Sequence, residues 1–300
     1  MAVTAGSGLP DNLVSTEWLE ANLQAPNLRV VDIRGYVKST DLGGGVQHAD
    51  YLAARDEYDA GHIPGSTYVD WTQDIIDPDN PVKVQIAPPN AFKKAMETRG
   101  IGDDSDVVIL DHTGGHFATR LWWALRYYGH DRAAVLDGGF NKWNAEGRPL
   151  STDDSSPATA TFTPCPRPEL RVEADDVHPS IDSADATIVD ARDAPQYTGE
   201  VRRGPRGGHI ASAVNIPAKS LVNSDGTWRP TSELKSILEE GGIEPEQRVI
   251  AYCNGGVTAT AVLFALTRTG HDNFANYDGS WNEWGERSEL PIEVTAENPA

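Results

Sequence analysis

One order of short motifs is written twice along these 300 residues. Val31-Asp-Ile-Arg34 returns as Val189-Asp-Ala-Arg192, Gly61-His-Ile63 as Gly208-His-Ile210, and Gly129-His-Asp131 as Gly270-His-Asp272. Leu136-Asp-Gly-Gly-Phe-Asn-Lys-Trp143 returns as Tyr277-Asp-Gly-Ser-Trp-Asn-Glu-Trp284. Seven positions lead from His130 to Asp137 and from His271 to Asp278, and six lead from each of those aspartates to Trp143 or Trp284. So many matches in the same order and spacing do not arise by chance. A chain of this length is also expected to form about two domains of roughly 150 residues. Two copies of one fold are therefore predicted, 9–150 and 169–295. Between them, 151–168 shifts to Ser, Thr, Asp and Pro and reads as a linker.

Within each copy, short apolar runs rich in β-branched residues alternate with stretches of helical spacing. Leu28–Arg34, Asp106–Leu110 and Ala133–Leu136 read as strands. Leu13–Leu23, about Pro89–Thr98, and Arg120–Tyr128 read as helices, and Gly35 to about Arg55 reads as a long loop. In the second copy Ala186–Arg192 and Arg248–Tyr252 are strands and Thr258–Thr267 is a helix. This alternation predicts an α/β fold in which each unit is a mainly parallel sheet with helices on both faces. Ligands of such sheets sit outside the carboxyl ends of the strands. Asp111 and Cys253 both fall there.

The copies differ at that position. Cys253-Asn-Gly-Gly-Val-Thr258 joins a buried strand to a helix through a glycine-bearing turn, which aims main-chain N–H groups and the positive helix end at the sulfur. Such a setting favours the thiolate, the nucleophilic form of cysteine. The first copy has Asp111 instead and cannot do thiolate chemistry, so it is expected to be inert. Cys165, the other of two cysteines, lies in the extended run Thr-Pro-Cys-Pro-Arg-Pro with no helix behind it. A disulfide scaffold or cysteine-based zinc site is not expected. Asp111 with His112 and His116 has ligand-type residues, but on a loop of the inert copy; no metal is assigned.

Composition narrows the partners. Against 45 acidic residues stand 25 basic ones, giving a net charge of −20. That surface repels nucleic acid and anionic lipid. Its shortage of lysine resembles proteins of salt-loving organisms, where molar salt screens the self-repulsion. No apolar run reaches the roughly 18–20 residues of a membrane span. The N-terminus lacks a signal-peptide pattern, so a cytoplasmic location is expected.

Tandem Val-Asp-x-Arg, Gly-His-Ile and Cys-x-x-Gly-Val-Thr motifs, closing on Tyr-Asp-Gly-Ser-Trp, resemble the two-domain rhodanese family of thiosulfate and 3-mercaptopyruvate sulfurtransferases over about residues 9–292. The resemblance implies two rhodanese-like domains, the second catalytic, with its active-site loop facing the interdomain cleft. It implies sulfane-sulfur transfer from thiosulfate or 3-mercaptopyruvate to cyanide or a thiol, through a Cys253 persulfide in a ping-pong cycle. The N–H groups of Asn254, Gly255, Gly256, Val257 and Thr258 would cradle the persulfide. No cofactor is implied, and the partners are small-molecule donor and acceptor. Asp190 and Arg192 resemble a strand-end pair that supports the loop.

The departures concern the substrate. Thiosulfate-preferring members carry two basic residues where this loop has Asn254 and Gly255. Mercaptopyruvate-preferring members carry a serine at Gly255. A substrate-binding arginine of both groups is replaced by Gln196, so its charge is expected from Arg202, Arg203 or Arg206. A cysteine phosphatase would need Cys-x5-Arg, and the sixth residue after Cys253 is Ala259. The remaining alternative is a non-enzymatic persulfide carrier or partner-binding module.

Overall fold

The computed structural model describes residues 8–295. The first copy contains β1 (Leu13–Val14), α1 (Thr16–Asn22), β2 (Leu28–Asp32), β3 (Gly35–Gly43), β4 (Val46–Ala53), α2 (Arg55–Ala60), β5 (Thr67–Tyr68) and α3 (Pro89–Glu97). It continues with β6 (Asp106–Leu110), α4 (Ala118–Tyr127), β7 (Ala133–Leu136) and α5 (Gly139–Ala145). The second copy contains β8 (Arg171–Val172), α6 (Ala174–Val177), β9 (Ala186–Asp190), α7 (Ala194–Thr198), β10 (His209–Ile210), β11 (Val214–Asn215) and α8 (Thr231–Glu240). It closes with β12 (Arg248–Tyr252), α9 (Ala259–Arg268), β13 (Phe274–Tyr277), α10 (Ser280–Trp284) and β14 (Ile292–Glu293).

Each copy holds a five-stranded parallel sheet, ordered β1-β7-β6-β2-β5 in the first and β8-β13-β12-β9-β11 in the second. The orders correspond strand for strand, so the sequence repeat is a repeat of topology. The central strands are covered on both faces, which is why they read as unbroken apolar runs. Val107 and Ile109 of β6 join Val249 and Ala251 of β12 in one core shared by both copies. Val108 and Leu110 point the other way, toward Leu19 of α1 and Trp143 of α5. Ile250 and Tyr252 likewise meet Val177 of α6 with Trp281 and Trp284 of α10.

The copies meet through α4 and α9. Ala118 to Leu125 and Ala259 to Thr267 are all buried, because each helix packs on its own sheet and on the other copy's helix. Trp122 stands edge-on to Phe264 at 5.0 Å, and the Thr119 and Thr260 hydroxyls lie 3.0 Å apart. Truncating either aromatic ring would cost about 3–5 kcal/mol.

The structure corrects two local readings. Gly35 to about Arg55 is not a loop: β3 and β4 form an antiparallel hairpin around Gly43, Gly44 and Gly45, whose φ values are 86°, 59° and 73°. β3 is exposed along most of its length, and the half-buried face of β4 is only Ala49, Tyr51 and Ala53 between exposed His48, Asp50 and Leu52, too weakly apolar to mark a strand. The first helix begins at Thr16, where Ser15 Oγ accepts the Trp18 N–H; Leu13 and Val14 instead pair with β7. Residues 151–167 are extended yet fastened to the first copy. Ser151 pairs with His62, Phe162 is buried, and the Cys165 N–H donates to the Tyr128 carbonyl. Among the described residues no helix is long and apolar enough to cross a membrane.

Candidate active site

Cys253 follows β12, the central strand of its sheet, and six residues later α9 begins. Although only 3% exposed, it lines a cleft of about 430 Å³ walled by both copies. Tyr51, Trp71 and Val84 come from the first copy, and Gln196, Arg203 and Lys219 from the second. The backbone of Cys253 is tied down: its N–H donates to Ser280 Oγ (3.1 Å) and its carbonyl accepts the Trp281 N–H (3.1 Å). The main-chain N–H groups of Asn254 to Thr258, in contrast, find no acceptor among the described residues. Gly256 has φ 69°, and a Cβ on it would lie 2.8 Å from Asp278 Oδ1, so this turn admits glycine alone.

The first copy shows what such a turn holds. Asp111, 1% exposed, occupies the place of Cys253. Its Oδ1 accepts the N–H groups of Thr113 (2.8 Å) and Gly115 (3.0 Å), and its Oδ2 accepts those of Phe117 (2.7 Å) and Ala118 (2.9 Å). Four main-chain donors thus converge on an anion whose charged atoms lie two bonds beyond Cβ. His112 and His116 are not gathered with Asp111 into a ligand set; among the described residues no group of three or more His, Cys, Asp or Glu side chains is placed to hold a metal. His116 borders the Cys253 cleft, and burial holds its imidazole below the ordinary pKa.

The remaining sequence candidates divide sharply. Arg192 donates from Nε (3.0 Å) and Nη2 (2.6 Å) to the Asp190 carboxylate and from Nη2 to the Gly208 carbonyl (2.7 Å). Burial opposes its charge, but Asp190 outweighs that and raises the guanidinium pKa. Tyr252 donates to Asp190 Oδ2 (2.7 Å), and the Arg192 guanidinium lies 4.3 Å over the Trp281 ring. This buried group braces both sides of Cys253 and leaves little of Arg192 free. Arg34 repeats the arrangement on Asp32, Gly61 and Phe140.

Of the three loop arginines, Arg203 alone lines the cleft. Its Nη2 donates to Ser39 Oγ (2.5 Å) while its buried Nε has no partner among the described residues. Burial pushes this guanidinium down from its ordinary pKa, with Tyr51 and Cys253 pulling it back up. An anion beside it would relieve that burial cost. Arg202 instead uses its backbone, pairing with Gly45 and Gln47 of the hairpin, and turns its side chain to Gly204 and Pro205. Arg206 is spent on the carbonyls of Trp284, Gly285, Arg287 and Leu290. The structure thus takes Arg202 and Arg206 out of the cleft. Asn254 Nδ2 donates to Gln196 Oε1 (3.0 Å), so the residue at the missing-arginine position steadies the loop.

A family model for the rhodanese-like domain matches twice, over residues 15–146 and 173–287. The chain belongs to the rhodanese-like domain family. This rhodanese-like chain is 33% identical over 294 residues to a putative thiosulfate sulfurtransferase of Mycolicibacterium smegmatis, covering 95% of this chain and 98% of that one. It is also 33% identical to the sulfur carrier protein TtuD of Thermus thermophilus, over 96% of this chain and 98% of that protein. The crystal structure of SseA from Escherichia coli, described among 3-mercaptopyruvate sulfotransferases, is similar with a TM-score of 0.79 at 30% identity. That match covers 90% of this chain and 98% of the other.

Motif and spacing gave no sign of three further cleft residues of this rhodanese-like chain, Tyr51 and Val84 from the first copy and Lys219 from the second. Tyr51 lies on β4, inside the hairpin read as a loop; burial raises its phenol pKa, and its hydroxyl accepts from Asn282 Nδ2 (3.5 Å). Val84 holds φ 60°, an outlier for a β-branched residue, and packs over the Cys253 loop so closely that a Cβ on Gly255 would overlap its Cγ2. Lys219, which pairs with Asp193 at 2.7 Å, also borders the cleft. None of the three carries a motif.

Proposed function

We propose that this chain is a sulfurtransferase that moves sulfane sulfur from thiosulfate or 3-mercaptopyruvate to cyanide or a thiol through a persulfide on Cys253. The inert unit is 9–150, the linker 151–168 and the catalytic unit 169–295. The observation that carries the reading is the Asp111 carboxylate gripped by four main-chain N–H groups at the position matching Cys253. A cysteine persulfide, Cβ–Sγ–Sδ⁻, also places its charged atom two bonds from Cβ. The turn that cradles a carboxylate in one copy suits the enzyme-bound sulfur anion in the other.

The Cys253 thiolate attacks the outer sulfur of thiosulfate, whose S–S bond breaks, and the bonding pair leaves with sulfite. For 3-mercaptopyruvate the C–S bond breaks and the departing carbon takes up a proton to give pyruvate. In both cases Cys253–S–S⁻ remains, facing the N–H groups of Asn254, Gly255, Gly256, Val257 and Thr258. Cyanide or a thiolate then attacks the terminal sulfur, and the pair returns to Cys253. Arg203 anchors the sulfonate or carboxylate end of the donor, while Asp190 and Arg192 hold the loop. This cycle uses the residues of the chain and no organic cofactor.

The test is thiocyanate formation from cyanide with thiosulfate or 3-mercaptopyruvate as donor, in low and in molar salt, for wild type and Cys253→Ser. Turnover with at least one donor, abolished in Cys253→Ser, is expected. Undiminished turnover in the serine variant would overturn the mechanism. Stoichiometric loading without turnover would favour a persulfide carrier.

A further inference from the structure

The inert copy sends one buried cation beneath the active-site loop. Arg120, on α4 and 1% exposed, donates from Nη1 to Asp278 Oδ1 (2.5 Å) and to the Gly256 carbonyl (3.1 Å), and from Nη2 to the Val84 carbonyl (3.1 Å). Asp278, fully buried in the catalytic copy, also accepts the Ile86 N–H at Oδ2 (2.8 Å), and its carbonyl accepts Gln85 Nε2 (2.8 Å). Asn276 Nδ2 donates to the same Gly256 carbonyl at 3.0 Å.

We propose that Arg120 is a positioning residue for sulfur transfer, acting across the domain boundary through the Gly256 carbonyl. In a trans peptide the C=O and the following N–H point to opposite sides. With the Gly256 carbonyl drawn down onto Arg120 and Asn276, the Val257 N–H is turned to the inner side of the loop, where Asp111 collects its donors in the first copy. Arg120 and Asp278 thereby fix one donor of the persulfide cradle. The arrangement is one-sided. Asp137, the repeat partner of Asp278, accepts the Trp228 N–H (2.8 Å) from the other copy, but the third residue of α9, matching Arg120 of α4, is Ala261. The inert copy is thus a structural part of the active site, and this inference rests on the sulfur-transfer reading above.

The test compares wild type, Arg120→Lys, and the charge-balanced pair Arg120→Met with Asp278→Asn. The rate of Cys253 persulfide formation from thiosulfate is followed by rapid-quench mass spectrometry, with steady-state kcat and KM and a melting curve for each. The double variant is expected to form persulfide about 10- to 100-fold more slowly, as for a misaligned anion donor, with KM changed less than about threefold because Arg203 remains. Arg120→Lys, which keeps the charge but reaches fewer carbonyls, is expected to recover part of the rate. A folded double variant loading sulfur at the wild-type rate would overturn the proposal. So would a change confined to KM, or a Lys variant no faster than the double variant. Should the double variant not fold, Arg120→Lys decides: a slowed loading rate at unchanged KM supports positioning, and a wild-type rate overturns it. Wild type that never loads sulfur would overturn the sulfur-transfer reading itself, an outcome distinct from equal loading in wild type and variant.

Discussion

Asp111→Ala removes the anion from the first copy's turn and leaves four main-chain N–H groups with no acceptor. At about 1 kcal/mol for each orphaned donor, the low end because a loop readmits some water, the loss comes to about 4 kcal/mol. In a cooperative unit of roughly 150 residues, that lowers the melting temperature by about 8–16 °C. Asp111→Asn keeps one carbonyl oxygen and turns an NH2 toward two of the donors, so it should fall between wild type and alanine. Thermal melts and urea titrations of the three proteins at one salt concentration measure the differences. A loss below about 1 kcal/mol for the alanine variant would refute the argument that this turn is built to hold an anion, and with it the analogy that supports a cradled persulfide at Cys253.

Three further outcomes follow from the same geometry. Arg203→Met is expected to raise KM for an anionic donor about tenfold, the equivalent of about 1.5 kcal/mol of lost charge-assisted bonding, whereas Arg206→Met leaves KM unchanged; steady-state kinetics with thiosulfate distinguish them. Gly255→Ser forces its Cβ against Val84 and should destabilise by about 1–3 kcal/mol, with Val84→Ala relieving part of the loss in a double-mutant cycle. Burial depresses the imidazole pKa of His130 and His116 from the ordinary 6.5, so the unfolded chain binds protons that the folded chain declines. Stability is then complete above about pH 6.5 and falls as pH drops toward the folded values, by up to about 1.4 kcal/mol per pH unit for each histidine. Urea midpoints between pH 7.5 and 5 measure the slope, and His130→Gln should flatten it.

The repeat, the central strands and the placing of Cys253 at the carboxyl end of its strand were legible because each is a local pattern. The Asp106–Leu110 and Arg248–Tyr252 runs, buried on both faces, carried their own bounds as strands. Cys253 was marked by a strand before it, glycines beside it and a helix after it. The hairpin from Gly35 to Ala53 was not legible, since β3 is exposed along most of its length and the half-buried face of β4 is only Ala49, Tyr51 and Ala53, weakly apolar between polar neighbours. Nor could spacing choose among Arg202, Arg203 and Arg206: that choice depends on Arg202 docking by its backbone to the hairpin and on four carbonyls capturing Arg206. Tyr51, Val84 and Arg120 reach the site across contacts between distant parts of the chain, which leave no periodic trace in sequence.

The central claim is that one sulfur atom in the second copy carries the transferred sulfur, and intact-protein mass spectrometry after exposure to donor alone tests it most directly. The account predicts a gain of about 32 Da, one sulfur atom, located on Cys253 and absent from Cys165, and discharged as thiocyanate when cyanide is added. No adduct with either donor, or an adduct that persists in Cys253→Ser, would contradict it.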